Sequence, residues 1–221
     1  MIRSEVMNAL SLDLQEISAS TVRMLSLVKE ECQLAQKSLI NADTLASERC
    51  IELDEQVDSI MDQLEQRILT VIARRQPAAK DLRFLGAIYR ALADIERAGD
   101  YAVHVSKAGA ELAQEPPIKK YTDMNHILDI LVRMVEKTIH ALADSSIELA
   151  KNAHKMDQEV DDLYEQLQRE LLTYMMEKPS TITISTKLLS VARNLERLGD
   201  HLENVNEHIV FWLTNERYEG S

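Results

Sequence analysis

The chain has 221 residues, a formal net charge of −12 and an aromatic content of only 4%. The negative charge argues against nucleic-acid backbones and anionic membrane surfaces as partners, because both would repel it. Alanine, leucine and glutamate are abundant, with five glycines and four prolines. This composition is typical of long helices, and the length fits one domain or two small ones.

The first residues have no uninterrupted apolar core and no cleavage-site pattern, so no signal peptide is predicted. No window reaches about 18 apolar residues, which argues against a spanning helix and against membrane insertion. Cys32 and Cys50 lie on different predicted helices and form no CxxC motif. They are expected to be free, buried thiols in a reducing compartment, which predicts a cytoplasmic protein.

Apolar residues recur with a helical period along most of the chain. In order, the pattern predicts helices at about 8–39, 44–75, 77–105, 122–152, 154–177 and 180–216. Asp43 or Thr44 is expected to cap the second helix, and Pro77 to stand in the first turn of the third. Residues 115–117, Glu-Pro-Pro, resemble a linker more than any other segment. The predicted domains are therefore 1–115 and 118–221.

One motif occurs twice in the chain. Residues 94–101 read DIERAGDY and residues 194–201 read NLERLGDH. The preceding helices also correspond, because the acidic and apolar pattern of residues 54–58 returns at 157–161. This is an internal duplication in which each copy supplies a helical hairpin and one further helix. The predicted fold is all-α, with two tandem three-helix bundles.

Each copy carries two acidic pairs with four-residue spacing, which places both carboxylates of a pair on one helix face. In the first copy, Asp58 and Glu96 each lie 19 residues from Pro77, and Asp54 and Asp100 each lie 23 residues from it. Residues equidistant from the turn of an antiparallel hairpin stand at one height. Each hairpin is therefore expected to bring four carboxylates together. The second set consists of Asp157, Asp161, Glu196 and Asp200.

These carboxylates are either metal ligands or an ordinary solvated face. Chance alone gives roughly six acidic pairs at this spacing in so acidic a chain, so one pair carries little weight. Matched heights in both copies favour metal, because bound cations relieve the repulsion between clustered carboxylates. Oxygen ligands suit Mg, Mn, Ca or Fe better than zinc.

Other residues near the motifs have less certain roles. Gly99 and Gly199 each cost about 1 kcal/mol relative to alanine inside a helix, and either close helix packing or room beside a metal cluster would explain them. Asn204 and Glu207 continue the acidic face of the last helix and are expected to complete the second site. The neighbouring arginines are expected to pair with the aspartate three residues on, and the nearby histidines to lie at the surface. These residues are Arg97, Arg197, His104, His201 and His208.

Enzymatic motifs are absent from the sequence. It contains no phosphate-cradling glycine loop, no GxSxG and no Glu-x-x-His pair. No general base is evident beside the carboxylates. The sequence therefore predicts a non-enzymatic protein, with a carboxylate-metal phosphohydrolase and a metal-free helical scaffold as the alternatives.

Several segments together resemble the PhoU family of bacterial phosphate-uptake regulators over nearly the whole chain. They are IARRQP at 72–77, DLR at 81–83, the two copies ERAGD and ERLGD, and LTYMME at 172–177. The resemblance implies two tandem three-helix bundles with multinuclear metal sites, most readily of Fe, Mn or Mg. Carried over to this chain, the ligands are Asp54, Asp58, Glu96, Asp100, Asp157, Asp161, Glu196 and Asp200, with Asn204 and Glu207 as additions. Asn194 replaces the aspartate found at 94, so the two sites are expected to differ.

The same resemblance implies a role and partners. It implies a cytoplasmic negative regulator that links the ATPase subunit of a phosphate ABC transporter to a membrane sensor histidine kinase. Such a regulator represses the phosphate-starvation response when phosphate is ample. A homodimer is also expected, and no nucleic-acid partner.

Overall fold

The computed structural model describes residues 2–218, with side chains described from residue 9. The helices are α1 (Ile2–Asn41), α2 (Thr44–Arg75), α3 (Ala79–Leu112), α4 (Thr122–Ala143), α5 (Ile147–His154), α6 (Asp157–Glu177) and α7 (Ile182–Thr214), with a 3₁₀ turn at Pro179–Thr181. No strand occurs among the described residues. The all-α prediction is therefore confirmed.

Local chemistry explains where the helices of the first half begin and end. The Asp43 side chain accepts a hydrogen bond from the Ala46 N–H at 3.1 Å and so caps α2. Gln76 adopts a left-handed conformation with φ 49° and donates its N–H to the Ile72 carbonyl, which ends α2. Because a proline excludes the helical conformation from the residue before it, Pro77 fixes this break. The helix α3 begins two residues after Pro77, so the prediction that Pro77 stands in its first turn was wrong.

The predicted helix at 122–152 was also wrong, because the chain breaks between α4 and α5. Ser145 has a positive φ of 51°, and the Ser146 hydroxyl accepts the Leu149 N–H at 3.3 Å to start α5. Serine and aspartate side chains compete for backbone hydrogen bonds in this way and favour caps over helix interiors. A second break at 155–156 separates α5 from α6, so this half has four helices.

The two halves pack against each other through corresponding helices. In the first half α2 contacts α1 and α3, and in the second half α6 contacts α7 and α4. Between the halves α3 packs on α7 and α1 packs on α4. The α3–α7 contact runs antiparallel, from the Arg83 Nε hydrogen bond to the Trp212 carbonyl at one end to the Lys187–Glu111 ion pair at the other. One continuous apolar core spans both halves.

Equivalent residues of the duplication meet in the middle of this contact. The rings of Tyr101 and His201, which occupy the same position of the two copies, stack with centroids 5.6 Å apart and planes inclined by 20°. An approximate twofold axis perpendicular to α3 and α7 relates the halves. The predicted domain boundaries, 1–115 and 118–221, remain a prediction, although residues 113–121 between them are not helical.

Within the described residues, none of the helices combines the length and the apolarity needed to cross a bilayer.

Candidate metal centre

The first carboxylate cluster lies where α1, α2 and α3 meet. Glu31 on α1 is fully buried, and burial, reinforced by Asp54, Asp100 and Asp58, raises its pKa to about 9. Burial and the charges of Asp100 and Asp58 raise the pKa of Asp54 to about 6. Glu96 belongs to the same cluster, because its pKa is raised by burial and by the nearby charge of Asp100. The structure thus places Asp54, Asp58 and Asp100 around the unpredicted Glu31, with Glu96 beside these aspartates.

Several oxygens of this cluster lack the partners that buried polar atoms normally have. Neither carboxyl oxygen of Glu31 has a hydrogen-bond partner among the described residues, and the same is true of Asp54 Oδ1. Unsatisfied buried carboxyl oxygens are unfavourable. A cation is a partner that such oxygen donors suit, but among the described residues only the second cluster brings three ligand atoms within 4.8 Å of one another.

The second cluster is built by α6 and α7. Asp157, Asp161 and Asp200 each place a carboxylate oxygen within 4.8 Å of the others. Asp157 is buried, and burial together with the charges of Glu203 and Asp161 raises its pKa to about 8. Asp157 Oδ1 lacks a partner among the described residues. Burial, followed by Asp200, also raises the pKa of Glu196. The four predicted carboxylates of this half again belong to one group.

The motif glycines make room for these carboxylates. A Cβ atom added at Gly99 would lie 2.7 Å from Glu31 Oε2, and one added at Gly199 would collide with Asp157 Oδ1. Real Cβ atoms do not approach other atoms so closely, so alanine would displace the carboxylate in either copy. Of the two explanations left open by the sequence, room beside the cluster is therefore the one that the structure supports.

The two clusters differ in their further acidic residues. In the first copy, α1 places Glu31 beside Gly99. In the second copy, the corresponding helix α4 places Leu131 beside Gly199, so an apolar side chain stands where the first copy has a carboxylate. The second cluster gains Glu203 of α7 instead, whose Oε1 lies 3.2 Å from His154 Nε2. Glu207 Oε1 lies 3.5 Å from the same nitrogen. The second cluster therefore borders a buried imidazole, that of His154.

Glu31, Glu203 and His154 were missed from the sequence, although a signal for Glu31 existed. It stands between Val28 and Ala35 on the buried face of α1, where a charged residue requires a compensating partner. Glu203 had a weaker signal, as it follows Asp200 by one helical turn. Nothing in the sequence indicated that a separate short helix would bring His154 to α7.

Asn204 turns away from the second cluster toward Asp94 on α3. Its Nδ2 donates to Asp94 Oδ1 at 3.3 Å, and the same aspartate contacts His201 Nδ1 at 2.9 Å and His208 Nε2 at 3.2 Å. Burial opposes ionisation of Asp94, but the hydrogen bonds with the two histidines outweigh it and lower its pKa to about 2. These residues form a polar contact between the halves, so the surface prediction was wrong for His201 and His208.

The two predicted arginine–aspartate ion pairs have different outcomes. Arg97 Nη1 lies 3.4 Å from Asp100 Oδ2, as predicted. Arg197 instead donates to the Tyr101 hydroxyl at 3.5 Å and lies over its ring. Since Arg197 reaches across the α3–α7 contact, its role is to join the halves. His104 is exposed, as predicted.

Comparison with known proteins agrees with the fold and the duplication. Residues 21–108 and 124–209 each match the model of the PhoU domain. A phosphate-specific transport system accessory protein PhoU homolog of Deinococcus radiodurans is 44% identical over 211 residues, covering 95% of this chain and 98% of the relative. A homolog of the same description from Aquifex aeolicus is 36% identical over 185 residues, covering 84% of each chain.

A solved structure extends the similarity to three dimensions. The crystal structure of PhoU from Pseudomonas aeruginosa superposes with a TM-score of 0.90 at 31% identity, covering 93% of this chain and 99% of that one. The matched segments include both copies of the duplicated motif and nearly all of α3 and α7. The chain therefore belongs to the PhoU family.

Proposed function

We propose that this chain is a metal-binding regulator of phosphate transport, in which two carboxylate clusters hold cations. One observation carries the proposal: Asp54 Oδ1 and Asp157 Oδ1, at corresponding positions of the duplication, are buried and have no partner among the described residues. A solvated acidic face would expose these oxygens to water. Because each oxygen is instead enclosed among other carboxylates, a cation is the partner that suits it.

The residues that would hold the ions follow from the two clusters. In the first half they are Glu31, Asp54, Asp58, Glu96 and Asp100. In the second half they are Asp157, Asp161, Glu196, Asp200 and Glu203, with Glu207 and His154 at the border. Oxygen donors in these numbers suit Mg, Mn or Fe and clusters of more than one ion. The imidazole at the second site favours Mn or Fe over Mg there.

The regulatory part of the proposal comes from the relatives. Their names describe accessory proteins of a phosphate-specific transport system. We extend this role to the present chain as a cytoplasmic, non-enzymatic adaptor that acts as a homodimer and binds no nucleic acid. Its expected partners are the ATPase subunit of a phosphate ABC transporter and a membrane sensor histidine kinase, and its expected effect is repression of the phosphate-starvation response.

Bound cations would change the surface that these partners meet. Each cluster gathers several negative charges, and an ion supplies the positive charge that offsets them. Electrostatic complementarity sets the rate and specificity of association more than its final affinity. Metal occupancy would therefore alter which basic surface the regulator engages.

Metal stoichiometry tests the proposal. Metal-free protein titrated with Mn²⁺ should bind ions at both clusters, measured by elemental analysis after gel filtration and by the rise in melting temperature. Replacing Glu96 and Asp100 with alanine should remove only the ions of the first half. Glu48→Gln, an exposed change on α2, is the matched control and should keep full stoichiometry.

Two results would contradict the assignment. Loss of all metal, or of none, in the double variant would mean that the clusters are not two separate sites. Phosphatase activity in the loaded protein that Asp100→Ala abolishes would favour an enzyme over a regulator.

A further inference from the structure

A cavity of about 870 Å³ opens at one end of the α3–α7 contact, and Glu207, at the border of the second carboxylate cluster, is among the residues that line it. Its walls come from the first turns of α3 and from the last turn of α7 with the segment that follows. Three arginines line it: Arg83 and Arg90 from α3, and Arg217 from beyond the end of α7. Three guanidinium groups around one cavity contrast with a chain whose net charge is −12.

The charges of these arginines are not consumed by ion pairs within the described part of the chain. Arg83 donates a hydrogen bond from Nε to the Trp212 carbonyl at 3.0 Å. This bond fixes the base of the guanidinium group and leaves its two terminal nitrogens to face a ligand. Glu207 is the carboxylate among the lining residues, and its Oε1 lies 3.5 Å from His154 Nε2. The cavity therefore brings three guanidinium groups together with one carboxylate.

The spacing of the arginines indicates the size of the ligand. Arg83 and Arg90 are seven residues apart, which places them on one face of α3 with about 10 Å between them along the axis. Arginine binds phosphate oxygens through two parallel N–H donors, a geometry that lysine does not offer. The guanidinium groups of Arg83 and Arg90 stand two helical turns apart, and Arg217 lies on the facing wall. Three donors spread over this distance match several linked phosphates better than a single phosphate.

The arginines are a local feature and not a by-product of the duplication. The positions that correspond to Arg83 and Arg90 at the N-terminal end of α7 are Thr183 and Ser190. The approximate twofold axis places that end of α7 at the opposite end of the molecule. The arginines that α3 contributes to the cavity therefore have no basic counterparts at the equivalent positions of α7.

We propose that this cavity binds an anion that carries at least two linked phosphate groups, such as pyrophosphate or the polyphosphate of a nucleotide. The linked phosphates lie along the arginines of α3, and Arg217 closes over them from the facing wall. The arginines hold the ligand without a metal from the carboxylate clusters, and Glu207 is the residue that the cavity wall shares with the border of the second cluster.

Calorimetry on the metal-free, full-length protein tests the proposal, with pyrophosphate, ATP and inorganic phosphate titrated at one ionic strength. Pyrophosphate should bind at least tenfold more tightly than inorganic phosphate. Similar affinities for pyrophosphate and ATP would support recognition through phosphates alone, and tighter binding of ATP would identify a nucleotide as the source.

Variants connect the binding to the cavity. Arg90→Gln and Arg217→Gln should each weaken pyrophosphate binding about tenfold, the loss expected for a charge-assisted contact. Both residues are exposed, so neither change should alter the circular dichroism spectrum or the melting temperature. Arg133→Gln, an exposed arginine of α4, is the matched control and should bind as the unmodified protein does.

Three results would overturn the proposal. The first is no binding of pyrophosphate or ATP, and the second is equal affinity for inorganic phosphate and pyrophosphate. The third is an unchanged affinity in the Arg90 and Arg217 variants. Binding of a hexaglutamate peptide in place of pyrophosphate would instead assign the cavity to an acidic protein segment.

Discussion

The buried glutamate of α1 makes a sharp prediction about stability and pH. The pKa of Glu31 is raised from an ordinary 4.5 to about 9, mainly by burial and then by the neighbouring carboxylates. A carboxyl group whose pKa is raised in the folded state contributes most below its unfolded pKa, and that contribution is lost as the pH rises toward the folded pKa. In metal-free protein, Glu31 should therefore lower stability progressively between pH 4.5 and pH 9.

The size of the effect follows from the same shift. Between pH 5 and pH 7 the folded protein keeps Glu31 protonated while the unfolded chain loses the proton. The free energy of unfolding then falls by about 1.4 kcal/mol for each pH unit, or about 2.5 kcal/mol over the interval. Glu31→Gln removes this titration and keeps the shape of the side chain, so the variant should lack that part of the pH dependence.

The assay is urea unfolding of the metal-free protein at pH 5, 6 and 7, followed by circular dichroism. Comparing slopes with pH avoids the unknown cost of burying the amide. Glu48→Gln is the exposed control and should keep the slope of the unmodified protein. If Glu31→Gln shows that same slope, Glu31 is not a buried protonated acid and the reasoning fails.

Three further predictions concern the glycines, the contact between the halves and the signal. Gly99→Ala should lower the free energy of unfolding by about 1–3 kcal/mol and weaken metal binding, because the added Cβ meets a carboxylate. Gly86 has open space around it, so Gly86→Ala should raise the free energy of unfolding by about 0.5–1 kcal/mol. Thermal unfolding measures both changes. Asp94→Asn should cost about 1–3 kcal/mol at pH 7, and urea unfolding should show this difference vanish as the pH falls to about 2, where Asp94 itself becomes protonated. Charge reversal of Asp100 and Asp200 to lysine should derepress phosphate-starvation genes in rich medium, read with a reporter in a regulator-deleted strain, and full repression by the folded variant would remove the carboxylates from the signal.

The sequence was informative wherever a pattern was repeated. The duplicated motif and equal or nearly equal distances from two prolines predicted eight clustered carboxylates, and the structure gathers them into two groups. Helical periodicity located the long helices, because burial of one face is a property of many residues at once. A break such as the one at Ser145 depends on a few hydrogen bonds, so the surrounding apolar pattern concealed it.

The missed residues share a different cause. Glu31 joins the first cluster from a third helix, and distance along the chain gives no register between α1 and α3. His154 depends on the same kind of information, as does the turn of Asn204 toward Asp94. Spacing from a hairpin turn relates only the two helices of that hairpin, so ligands from outside it require the packed structure.

The stacking of Tyr101 on His201 has a consequence for how such a chain can evolve. It is the geometry of an isologous interface, in which one surface meets its own copy across a twofold axis. In a homodimer of a single repeat, a residue beside the axis always faces itself, and a mutation there appears on both sides together. Joining the repeats in one chain removes that restriction, so an aspartate at 94 can coexist with an asparagine at 194, and arginines at one end with serine and threonine at the other.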